Sequence, residues 1–63
     1  MILLLFEVYV TGKPGCELVT GYGVSVPNVG ETVVVEGTDY TVFAVLHTIG
    51  QYEDEAQATI RVR

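Results

Sequence analysis

Thr32-Val-Val-Val-Glu36, Gly37-Thr-Asp39, Tyr40-Thr-Val-Phe-Ala-Val-Leu-His47 and Ala56-Gln-Ala-Thr-Ile-Arg-Val-Arg63 are the segments that decide the fold. They read as three strands joined by two turns, an antiparallel meander. In the last strand Ala56, Ala58, Ile60 and Val62 alternate with Gln57, Thr59, Arg61 and Arg63. That period of two puts one apolar and one polar face on an extended chain. Strand 40–47 is apolar on both faces, with Tyr40, Val42, Ala44 and Leu46 on one and Phe43 and Val45 on the other. Such a strand is central or covered on both sides. The Gly37-Thr-Asp39 segment is expected to be the tight connection between the first two strands.

Upstream, Ile2, Leu4, Phe6, Val8 and Val10 share one face of a first strand over residues 2–10, the expected core face. Its other face carries Leu3, Leu5, Glu7 and Tyr9, and the two leucines there call for a cover. Thr11-Gly-Lys-Pro-Gly15 is turn chemistry. Cys16 after it is expected to be a small buried filler. From Glu17 to Val26 a twisted, irregular strand or hairpin arm is expected, interrupted at Gly21-Tyr-Gly23. No helical period occurs anywhere. The expectation is therefore an all-β single domain over 1–63, a small barrel or strongly bent antiparallel meander of about five strands. Closure of the barrel would remove exposed strand edges.

The chain has 63 residues, is 49% apolar and carries a net charge of −5. A domain this small buries only about 60% of the surface of its unfolded chain. One cysteine gives no internal disulfide, and one histidine with it makes a structural zinc site poor. Self-association is the support that remains, so a homo-oligomer is expected, with Leu3 and Leu5 in its interface. Three cations against eight acids exclude a general DNA or RNA binder. Met1-Ile-Leu-Leu-Leu-Phe6 lacks a basic leader and meets Glu7 at once, so neither a signal peptide nor a membrane span is expected. A cytoplasmic location is the corresponding expectation.

The pattern Pro27-x-Val29-Gly30-Glu31-x-Val33 followed by Gly37-x-x-Tyr40-x-Val42-x-x-Val45-x-His47 resembles small β-barrel proteins of phage and prophage origin. It is also similar to the entry turn and meander of SH3-like barrels. Glu31 stands where the pattern carries Asp. The resemblance covers about residues 27–47 and implies fold and provenance, with no catalytic residue attached. It implies a virion or assembly accessory, or a small antagonist of host defence that binds a host protein or sequesters a nucleotide signal.

Arg61 and Arg63 share one face of the last strand. With Tyr9, Tyr22 and His47 they are the candidate ligand-binding residues for an anionic molecule such as a nucleotide. The alternative for the arginines is pairing with Glu7 and the 53–55 acids. Tyr52, Glu53, Asp54 and Glu55 form an acidic tip that could serve as a protein interface around an aromatic anchor. The same acids with His47 lack the spacing of a calcium loop, and no metal or cofactor is expected. A small hydrolase-like enzyme would have to use Cys16 and His47, whose spacing suggests no pair. The reading from sequence is a non-enzymatic accessory protein that acts by binding, most simply against a host defence component. A structural or assembly module is the alternative.

Overall fold

A computed structural model describes residues 1–48 and 55–63. Among them it shows five strands and no helix. They are β1 (Ile2–Val8), β2 (Glu17–Gly23), β3 (Thr32–Val35), β4 (Thr38–His47) and β5 (Ala58–Val62). They form one strongly curled mixed sheet, a half-barrel, in the order β2-β1-β5-β4-β3.

The expected meander is present, with β3, β4 and β5 each antiparallel to the next. The first strand departs from an all-antiparallel sheet. β1 pairs antiparallel with β2 on one side and parallel with β5 on the other. The connection 24–31 makes this possible by linking the two end strands of the sheet. Five strands spaced about 4.8 Å apart are some 19 Å wide when flat. Eight residues at about 3.3 Å each can cross that distance, and the curl shortens it. Val26 in this connection packs on the core as it passes. Since β2 and β3 end the sheet, the barrel is open, and the edge-free closure expected from sequence is not reached.

The concave face is the core. Leu4, Val8, Val35, Val42, Ala58, Ile60 and Val62 are buried there, with Ile2, Phe6, Val19, Val33, Tyr40 and Val45 packed around them. Ala58, Ile60 and Val62 have no exposed surface because β5 is the middle strand and its inner side chains meet both β1 and β4. Val10, expected in this set, is exposed, because β1 ends at Val8.

Two local corrections matter for the outer face. The β3–β4 turn is Glu36-Gly37, not Gly37-Thr-Asp39. Both turn residues have positive φ, 50° and 81°. A two-residue turn needs that hand to match the twist of the strands it joins. The second correction is a bulge in β4. Val42 pairs with Val62, but the next pair is Ala44 with Arg61, so Phe43 is a surplus residue. The alternation changes phase there. Val42 and Val45 both reach the core, while Ala44 and Leu46 pass to the outer face beside Arg61 and Thr59.

The glycines of Gly21-Tyr-Gly23 do not interrupt β2, which is paired with β1 from Glu17 to Gly23. Gly21 lies opposite Leu4, and Gly23 opposite Ile2, on the core side of the strand. A Cβ on Gly23 would stand 3.1 Å from Leu4 Cδ1. The glycine admits a close approach of the two strands.

Candidate functional site

The parallel register of β1 and β5 creates the most organised group of polar side chains. Glu7 lies beside Arg61 and Val8 beside Val62, and the Tyr9 amide donates to the Val62 carbonyl at 2.9 Å. Tyr9 is thereby carried next to Arg63. Arg63 is held to β4 by two backbone hydrogen bonds with Thr41, at 3.0 and 3.1 Å. The bulge at Phe43 completes the group from the β4 side.

Within it, Arg61 Nε donates to Glu7 Oε1 at 2.9 Å, and the Tyr9 hydroxyl donates to the same oxygen at 2.9 Å. The Tyr9 ring meets Phe43 edge-on, with centroids 5.4 Å apart and planes at 67°. The Arg63 guanidinium lies over Phe43, 4.7 Å from its centroid. An arginine stacked on a ring keeps its in-plane N–H donors free to face outward. Among the described residues no carboxylate lies within ion-pair distance of Arg63. Arg61 is committed to Glu7, as the pairing alternative had it, whereas Arg63 rests on an aromatic base.

The electrostatics follow from these bonds. The Arg61 hydrogen bond, then that of Tyr9, holds the Glu7 carboxyl below its ordinary value of 4.5. The same contact with Glu7 raises Arg61. Tyr9 is raised first by its bond to Glu7, with desolvation and the nearby Cys16 thiol adding to it. Because the fold favours ionised Glu7, this contribution is complete above the unfolded value. It is lost as pH falls through the lowered native value. Glu7→Gln should therefore flatten the acid limb below about pH 4.5. Melting temperatures of both proteins between pH 7 and pH 2 check this. Parallel curves would count against the pairing as a contributor to stability.

The remaining candidates are scattered. Tyr22 is exposed on β2 opposite Leu3, four residues along β1 from Glu7 and so roughly 13 Å away. His47 is exposed and in register with Ala58, which gives it the core-side phase rather than that of the arginines. The structure thus joins Tyr9, Arg61 and Arg63 and leaves out Tyr22 and His47. Cys16 is exposed, a correction to the expected buried filler. It stands just before β2, beside Tyr9 and past the end of the core. It lies three strands across the sheet from His47 and at the other end of the paired region, so the two are not brought together. Tyr52, Glu53 and Asp54 lie outside the described residues, and Glu55 is half-buried before β5. Leu3 and Leu5 are half-buried on the outer face.

A cleft of about 210 Å³ lies under the β1–β2 turn, between Lys13–Glu17 and Val8 with Val10. Pockets for drug-sized ligands run from about 300 Å³ upward, and neither arginine lines this one. No group of metal-ligating side chains occurs among the described residues. No described helix is long and apolar enough to cross a membrane.

Sequence reading missed Phe43 as the support of Arg63, since strict alternation set it on the same face as Val45, whereas the bulge separates the two. Leu18 and Leu46, both on the outer face, were missed as well. The apolar side chain at Leu46 was a signal, but its face depends on the bulge. No protein-family model, curated protein or solved structure gives a significant match to this chain.

Proposed function

We propose that the chain is a non-enzymatic accessory protein that acts by binding, of the phage type that residues 27–47 resemble. Its target is a host defence component, met in the host cytosol, that offers an anionic group to Arg63. The observation that carries this reading is the stacking of Arg63 on Phe43, itself set against Tyr9. A fixed guanidinium loses less freedom on binding than a free one. It can also meet a carboxylate or phosphate with two parallel hydrogen bonds. Arg61 has a different task, since it is bound to Glu7, whose carboxylate the Tyr9 hydroxyl also holds.

The test is plaque formation on hosts carrying individual defence systems, with and without the expressed chain. The wild type should restore plaquing on at least one such host by tenfold or more. Arg63→Glu should not, while keeping the wild-type circular dichroism spectrum. A nucleotide panel in a thermal-shift assay separates the two kinds of target. A ligand at a hundred times its Kd stabilises by about 2.7 kcal/mol, on the order of 20 °C for so small a domain. Full activity of Arg63→Glu would remove the basis of the reading.

A further inference from the structure

The sheet is open, and its two edge strands differ in how they are protected. β3 has four residues, and Glu31 and Glu36 flank it. A short edge with charges at its ends resists pairing with another strand. β2 has seven residues, pairs with β1 without a bulge, and holds no proline or lysine. Its single charge, Glu17, is its first residue. Among the described residues no strand pairs with its free side, so alternate backbone N–H and C=O groups there lack a strand partner. Leu18 and Tyr22 on this strand are 65% and 71% exposed, and Thr20 between them is exposed too.

We infer that β2 pairs antiparallel with β2 of a second copy of this chain, about a two-fold axis at Thr20 perpendicular to the sheet. The register selects this occupant. An axis at Thr20 is the one that pairs all seven residues of the strand with their copies. It sets Thr20 of one copy opposite Thr20 of the other, and Leu18 of each opposite Tyr22 of the other, all on the outer face. Each exposed apolar side chain of the edge thus meets an apolar side chain, and paired threonines are favourable across strands. On the core side Val19 comes opposite Gly21, and Glu17 opposite Gly23, so neither meets a bulky or charged neighbour.

Charge does not oppose this contact locally. The chain carries −5 overall, which works against self-association. The two Glu17 side chains, however, stand at opposite ends of the paired strands. About 20 Å separates them, well beyond the screening length of about 8 Å at physiological salt. The pair forms about six to eight backbone hydrogen bonds, so affinity rests on main-chain bonds and not on a broad apolar area. A perpendicular axis keeps both concave faces on one side of a continuous sheet, and each core is left as it is. Arg63 follows β5, two strands away from β2, and stays open in both copies. The inference stands whether or not Arg63 is the contact with a target.

Sedimentation equilibrium of the wild type at about 100 μM tests this. The expected mass is twice the 6.8 kDa of the chain. Thr20→Lys puts two like charges directly opposite one another at the axis, and Thr20→Glu does the same with the other sign. Each should weaken the dimer by about tenfold or more and keep the wild-type circular dichroism spectrum. An equimolar mixture of the two should regain the dimer, since opposite charges then meet. Two variants that had merely lost their fold would not recover in this way. Val34→Lys, on the other edge strand, and Arg63→Glu should both remain dimeric, and the second separates this inference from the functional reading. A monomeric wild type at that concentration would overturn the inference and leave the edge to a strand of another protein. A dimer untouched by both Thr20 variants, or a mixture of them that stays monomeric, would overturn it as well.

Discussion

Ile60→Ala should lose most of the stability of this protein. Ile60 has no exposed surface and sits on the middle strand, with Phe6 beside it on β1 and Val45 on β4. Removing three carbons there takes away their transfer energy and leaves a cavity. Large aliphatic residues truncated to alanine in cores cost about 2–5 kcal/mol. At 0.05–0.15 kcal/mol per residue, a chain this short has only about 3–9 kcal/mol in total. The melting temperature should fall by about 15 °C or more. The control is Val34→Ala, on an outer position 67% exposed, where a change within about 0.5 kcal/mol is expected. Near-equal melting temperatures for the two variants would mean that the concave face is not the core.

That prediction rests on a part of the fold that was legible in the residues. The alternation of Ala58, Ile60 and Val62 with Thr59 and Arg61 needs no partner to be read, because period two is a property of one extended chain. The same holds for the inner face of β1 from Ile2 to Val8. What could not be read is which strands lie side by side. The parallel pairing of β1 with β5 joins residues 54 positions apart, Glu7 and Arg61. No local pattern distinguishes that partner from another polar strand. A bulge is illegible for a related reason. Phe43 looks like any apolar residue in an alternating run, and only the partner strand reveals that two residues face one. The candidate site depends on both features, so its members Arg61, Arg63 and Tyr9 were recognisable one by one but their geometry was not. Cys16 was misplaced because residue type was weighed above position. The turn carries it past the last buried residue of β1, where little surrounds it.

Gly23→Val is the other substitution expected to do large damage, and it tests the reading of β2. Gly21 and Gly23 are alike by sequence: same strand, same side, two residues apart. The structure separates them. A Cβ on Gly21 would find its nearest neighbour, Phe6 Cε2, at 3.9 Å, an ordinary contact. On Gly23 it would meet Leu4 Cδ1 at 3.1 Å and the Ser25 carbonyl oxygen at 3.3 Å. Leu4 is buried and cannot withdraw without disturbing the core, and the carbonyl belongs to the backbone. Valine adds two methyl groups beyond that Cβ. Overpacking of this kind costs about 1–3 kcal/mol, more than the few tenths to 1 kcal/mol gained by replacing glycine in a strand. Gly21→Ala should instead be neutral or mildly stabilising, because the space is there and the unfolded chain loses freedom. Chemical denaturation of the pair reads the difference directly. If Gly23→Val were as stable as Gly21→Ala, β2 could not lie against Leu4 as described, and its register with β1 would be wrong.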